Sequence, residues 1–163
     1  MRQDGIDLSA LEAFVSDTGV IYGYPNADSA SNADLLESDC DVLVLAAAPR
    51  QVGAHNFSHL RARTIIELTQ NALAVPENSL PDSRLVLPFL LAGLPELAVW
   101  SYEWQRGLSY SDVDDLEAAH DASARVISAF ESVLAFATEQ GTRMHLAARM
   151  VALDRLASTL RLH

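Results

Sequence analysis

Two histidines four residues apart, His55 and His59, have the spacing in this sequence that most resembles part of a metal site. Side chains at that spacing share one face of a helix, and imidazole pairs of this kind can hold zinc. Two ligands do not make a site, and no adjacent glutamate completes the metalloprotease pattern. We therefore expect an exposed helix face and no metal.

The other reactive side chains also have structural explanations. Cys40 is the only cysteine, which excludes an internal disulfide, and its acidic neighbours Asp39 and Asp41 disfavour a reactive thiolate. We interpret Cys40 as a core thiol, and the isolated histidines as structural or solvated residues: His120, His145 and His163. Four acids crowd a predicted helix N-terminus, where the helix dipole favours negative charge without a metal: Asp112, Asp114, Asp115 and Glu117.

Composition excludes several classes of function. The formal net charge is −11, and all 11 basic residues are arginine. Nucleic-acid binding requires a basic face, and lysine chemistry such as a Schiff base has no residue to perform it. The longest apolar run, Leu85 to Leu94, is interrupted by Pro88 and Gly93 and is too short to cross a bilayer. With no apolar segment near Met1 either, we expect a cytoplasmic protein without membrane contact.

Apolar segments in the first half of the chain predict about four mostly parallel strands. Strands that are apolar at every position indicate a sheet covered on both faces, and hence an α/β fold. The second half has helical periodicity, so we expect one domain over residues 1–163, with a sheet part at 1–94 and a helical part at 95–163. The predicted strands are Val20–Tyr24, Asp41–Ala46, Arg63–Leu68 and Arg84–Pro88.

Five segments, in order, resemble the glutamate/leucine/phenylalanine/valine dehydrogenase family from about Asp4 to Leu162. They are similar to that family's Gly-aromatic-Pro turn, its Asn-capped helix with "D-C-D-I/V-L", its "P-A-A-x-x-N-Q-I", its aromatic "Y-F-E-W-x-Q" helix and its closing "V-L-A-V-E-R-V-A" helix. The resemblance implies a truncated, Rossmann-like NAD(P)-binding domain. The five segments are Val20–Pro25, Asn32–Leu43, Ala46–Val52, Ser101–Gln105 and Val151–Ala157.

The same resemblance implies that catalysis has been lost. The family's catalytic lysine and aspartate belong to a substrate domain that has no counterpart here, and no G-x-G-x-x-G occurs. The family's "G-A-N-G-P" turn, whose Asn contacts nicotinamide, is matched by Leu68–Ala72, so Gln70 or Asn71 imitates that Asn. Phe89 and Trp100 replace an aspartate and the substrate-holding serine. We expect no catalytic residue and no cofactor, with NAD or NADP bound only if a remnant cleft at Gln70, Asn71 and Trp100 survives.

Trp100 also shares a helical face with Trp104, and we favour core packing for both, with ligand stacking as the alternative. A Rossmann sheet has strand order 3-2-1-4-5-6, and here strands 1 and 2 have no counterpart. We expect Val20–Tyr24 to move beside the strand at Val42–Ala46 within a homodimer. The alternative is that another chain covers that edge.

The favoured function is that of a non-catalytic relative that associates with itself or regulates a full-length amino-acid dehydrogenase. One alternative is a binding module for an amino acid or a nucleotide. Another is one half of a split dehydrogenase.

Overall fold

The chain divides into two compact units, one built from Met1–Asp39 with His59–Arg61 and the other from Cys40–Ser58 with Ala62–His163. The computed structural model describes residues 5–76, 79, 81, 83–109 and 115–161. Ser111 and Asp114, which resemble a helix capping box in the sequence, lie outside these residues. Within the described ranges, none of the helices combines the length and apolar character needed to cross a membrane.

The first unit contains helices α1 (Leu8–Thr18) and α2 (Asn32–Leu36). Asp7 caps α1 by accepting a 3.1 Å hydrogen bond from the backbone N–H of Ala10. Gly19, at φ 75°, ends that helix in the left-handed conformation that glycine adopts without strain. A capping box of Ser31 and Asp34 opens α2, and hydrogen bonds from the Ser31 hydroxyl and backbone N–H lower the pKa of the Asp34 carboxyl.

The prediction of a strand at Val20–Tyr24 is wrong. This segment forms a bend and a turn, in which the Tyr24 backbone N–H donates to the Ile21 carbonyl at 3.3 Å. Gly23 has φ 84°, outside the extended region, so the pattern of apolar residues cannot continue as a strand. Tyr24 is buried and packs edge-on against Phe14, with ring centroids 5.5 Å apart. The expected placement of this segment as a strand beside Val42–Ala46 is therefore also wrong.

The second unit contains a parallel sheet of three strands in the order β1 (Val42–Leu45), β2 (Thr64–Glu67) and β3 (Leu85–Leu87). The predicted α/β class is confirmed, with three strands rather than about four. Leu45 and Ile65 are almost completely buried, whereas Val42 and Val44 are 49% and 48% exposed. One face of β1 is therefore open, contrary to the expectation that both faces are covered.

His55 and His59 do not share a face of an α-helix. His59 ends a three-residue 3-10 turn, Phe57–His59, and its Nδ1 lies 3.2 Å from Oε1 of Glu37. Across the described parts of the chain, no three His, Cys, Asp or Glu side chains come together as metal ligands would.

Four helices complete the second unit: α3 (Phe89–Ala92), α4 (Leu94–Ser109), α5 (Asp115–Gln140) and α6 (Met144–Arg161). Gly141, at φ 59°, turns the chain between α5 and α6. Small side chains at the contact let these two helices approach closely. The core between α3, α5 and α6 consists of Leu91, Ala129, Val133, Ala137, Met144, Ala147 and Ala148.

Candidate functional site

A cavity of about 450 Å³ lies at the carboxyl ends of β2 and β3, beside α6. Ligands of open α/β sheets bind in crevices at this end of the strands, and the volume suits a small molecule. Pro88, Phe89 and Leu90 form part of the apolar wall. The polar lining side chains are Glu67, Gln70, Asn71, His145 and Arg149.

Glu67 is a buried carboxylate at the floor of this cavity, with only 3% of the residue exposed. Its Oε1 accepts a 2.9 Å hydrogen bond from the Leu73 backbone N–H, and its Oε2 lies 2.6 Å from Nε2 of His145. A buried carboxylate is tolerated when such partners replace water. Glu67 thus ties the segment after β2 to helix α6.

The loop after β2 has a defined backbone conformation. The Arg50 backbone N–H donates to the Asn71 carbonyl at 2.8 Å, and Val52 exchanges hydrogen bonds with Ala72 and Ala74 at 3.1 and 2.7 Å. Asn71 has φ 56°, a left-handed conformation that asparagine tolerates better than most residues. These bonds hold the exposed side chains of Gln70 and Asn71 against the cavity.

We expect Asn71→Val to lower the free energy of unfolding by about 1–2 kcal/mol, because a β-branched residue is strained at positive φ. Asn71→Gly should keep the stability of the parent, since glycine adopts this conformation freely. Urea unfolding followed by circular dichroism measures both variants. Equal losses for valine and glycine would contradict a conformational role and indicate that the amide side chain itself stabilises the loop.

Of the three residues predicted for a remnant cleft, the structure brings two together. Gln70 and Asn71 line the cavity, whereas Trp100 is absent from the described residues that form its wall. Trp100 lies on α4 with 63% of the residue exposed, and Trp104 is 69% exposed. The interpretation of these tryptophans as core residues is therefore wrong. Whether Gln70 and Asn71 contact a ligand stays a prediction.

Sequence reasoning did not single out Glu67, and it interpreted His145 only as a structural or solvated histidine. Glu67 carried a usable signal, because it is an acid at the end of an otherwise apolar strand. His145 carried none, since its partner is 78 residues away in the chain. Phe89, which the family resemblance places at the position of an aspartate, begins α3 and forms part of the cavity wall.

The pair of Glu67 and His145 and the surrounding amides can hold a small polar ligand, while the apolar wall can take a hydrocarbon group. The cavity's own residues include no lysine, and the 163-residue sequence has none.

Comparison with known proteins gives consistent matches along the chain. The family model for glutamate/leucine/phenylalanine/valine dehydrogenase matches residues 1–163. A glutamate dehydrogenase of Thermotoga maritima is 30% identical over 158 residues, which is 94% of this chain and 38% of the relative. A catabolic NAD-specific glutamate dehydrogenase of Bacillus subtilis is 27% identical over 97% of this chain and 38% of its own length.

Solved structures agree with the sequence matches. A hetero-hexameric glutamate dehydrogenase from Thermus thermophilus, in a leucine-bound form, superposes with a TM-score of 0.85 at 26% identity. The match covers 99% of this chain and 38% of that one. A glutamate dehydrogenase from Peptoniphilus asaccharolyticus shares the fold with a TM-score of 0.78 at 20% identity, over 99% of this chain and 36% of that one. The chain thus spans less than two fifths of these relatives, and it belongs to the glutamate/leucine/phenylalanine/valine dehydrogenase family.

Proposed function

We propose that this chain is a non-catalytic member of its family that acts by association, either with a second copy or with a full-length amino-acid dehydrogenase. The observation that carries the proposal is the number of large apolar side chains that α4 and α6 leave exposed to solvent. Monomeric proteins rarely leave contiguous apolar patches of this kind in water. The residues on α4 are Leu97, Trp100, Trp104 and Leu108, each at least 60% exposed.

The chemistry of the cleft supports a non-catalytic role. Phe89 lies in the wall where the family resemblance implies an acid, and Trp100 stands away from the cavity where it implies a substrate-holding serine. Glu67 holds both the His145 imidazole and the Leu73 backbone N–H. The Glu67 carboxylate is thus used to fix the floor of the cavity.

A regulatory partnership has a precedent in a relative. The Thermus thermophilus enzyme is described as hetero-hexameric, so unlike subunits assemble in at least one member of this family. We propose that this chain occupies a comparable position beside a catalytic subunit, or pairs with itself. A cytoplasmic setting suits this role, and Cys40, the only cysteine, forms no disulfide within the chain.

Light scattering of the purified chain, alone and mixed with the glutamate dehydrogenase of the same cell, tests the proposal. We expect a dimer or larger assembly alone, or a stable complex with the enzyme that changes its turnover. A chain that stays monomeric at every concentration, and leaves the enzyme's mass and activity unchanged, would overturn the proposal.

The cavity supports a second candidate, a small-ligand binding module. Its Gln70 and Asn71 amides and the Arg149 guanidinium offer donors and acceptors next to an apolar wall. Leucine, glutamate, NAD and NADP are the ligands to titrate by calorimetry, with Gln70→Ala as the matched variant. Saturable binding that weakens in Gln70→Ala supports this function, and no heat with any of the four excludes it for these ligands.

A further inference from the structure

Helix α6 is apolar on two opposite faces. One face packs into the core between α3, α5 and α6 through Met144, Ala147, Ala148 and the partly buried Val151. The other face carries exposed apolar residues, of which Leu146 is 45%, Leu153 65% and Leu160 76% exposed. A helix that only covered a core would be polar on its outer side.

The exposed face follows a heptad pattern. Its residues are spaced by four, three, four and three positions, which keeps them in one line when two helices wrap around each other. We call this line the α6 seam; it consists of the exposed Leu146, Met150, Leu153 and Leu160 and the half-buried Ala157. At a rise of 1.5 Å per residue the seam is about 21 Å long. Because α6 is already anchored in the core, a partner would not have to induce the helix.

Charges beside the seam indicate the partner and its direction. Arg149 and Asp154 are exposed, lie on opposite sides of the seam and are five residues apart. In two parallel helices this spacing brings Arg149 of one copy beside Asp154 of the other, and twofold symmetry makes the contact twice. In an antiparallel pair, Arg149 would face the equivalent heptad position of the other helix. Along α6 that position is occupied by Arg149 and Leu156, so no acid would lie opposite Arg149.

We propose that a second copy of this chain docks along the α6 seam, with the two α6 helices parallel and Arg149 of each copy paired with Asp154 of the other. This inference rests on the proposed function, because it names the surface and the partner for the association. The seam residues fill the centre of the helix pair, and the two ion pairs fix its direction and register.

Light scattering of Leu153→Glu provides the first test. We expect the parent chain to be a dimer and Leu153→Glu to be a monomer, because a charge at the centre of the seam has no partner there. Ile127→Glu is the matched control, since Ile127 is similarly exposed on α5 at 58% against 65% for Leu153, and it should remain dimeric. Unchanged far-ultraviolet circular dichroism establishes that each variant folds. A dimeric Leu153→Glu would overturn the proposed surface.

Disulfide trapping tests the direction of the helices. Ala157 occupies a seam position that faces its own copy only in a parallel pair, so Ala157→Cys in a Cys40→Ser background should form a linked dimer on mild oxidation. Ala152→Cys, exposed on α6 outside the seam, is the control and should stay unlinked. The parallel arrangement is wrong if the chain is a dimer but Ala157→Cys does not form the linked product, whether or not Ala152→Cys does. Association by another surface would still stand in that case.

Charge exchange tests the ion pair separately from the apolar contact. Arg149→Asp or Asp154→Arg alone should weaken the dimer about tenfold, and the double exchange should restore most of the affinity. A monomeric parent chain would overturn the inference. The proposed function would fall with it only if the dehydrogenase mixture also showed no complex.

Discussion

Glu67→Leu is expected to lower the free energy of unfolding by about 2–4 kcal/mol, since it removes a buried carboxylate that accepts from two partly buried groups. The Leu73 backbone N–H and the His145 imidazole both depend on this carboxylate, whose side chain is only 4% exposed. Water cannot replace it without opening the packing between the β2 loop and α6. Urea unfolding followed by circular dichroism gives the loss directly.

The chain offers a matched control in its exposed carboxylate–imidazole pair. Glu37 and His59 lie 3.2 Å apart with side chains 39% and 59% exposed, so Glu37→Leu should cost less than about 1 kcal/mol. His145→Leu and the double variant complete a cycle for the buried pair. If Glu67→Leu costs no more than Glu37→Leu, burial does not govern the strength of the pair. Additive losses in the cycle would mean that Glu67 acts through Leu73 alone.

Leu45→Ala is expected to cost about 2–5 kcal/mol, because it leaves a cavity at the end of β1 that the rigid sheet cannot close. Leu45 is 1% exposed, and its carbonyl accepts 3.0 Å hydrogen bonds from the backbone N–H groups of Leu68 and Thr69. These backbone bonds persist in Leu45→Ala, so the expected loss measures the packing of the side chain in the core.

Val44→Ala is the control for Leu45→Ala on the same strand. Val44 is 48% exposed, so its truncation should cost less than about 1 kcal/mol in the same urea titration. Comparable losses at the two positions would show that the open face of β1 is covered in solution, and would identify the sheet as a second association surface.

The strands that were predicted correctly from the sequence are the apolar segments that pair with another strand in the sheet. β1, β2 and β3 all lie within predicted strands, because their runs bond to one another. Val20–Tyr24 has the same apolar composition but contains Gly23 at positive φ, and composition alone does not reveal whether a neighbouring strand is available. A strand is stabilised by hydrogen bonds to a neighbouring strand, so the composition of one segment does not suffice to predict it.

The site was predicted in part for a similar reason. The position of Gln70 and Asn71 after β2 followed from the order of the motifs along the chain. The buried contact of Glu67 with His145 joins residues 78 positions apart, which no local pattern encodes. Trp100 and Trp104 have the size and periodicity of core residues, yet α4 leaves them exposed. Periodicity shows which side chains share a face, but not whether anything covers that face.

Arg149 belongs both to the cavity wall and to the side of the α6 seam. A guanidinium that binds the carboxylate of a ligand is no longer available to Asp154 of a second copy. Under the proposed arrangement, ligand binding and dimerisation would therefore be antagonistic. By thermodynamic reciprocity, the factor by which such a ligand weakens the dimer equals the factor by which dimerisation weakens ligand binding. The oligomeric state of the chain would then depend on the concentration of that ligand.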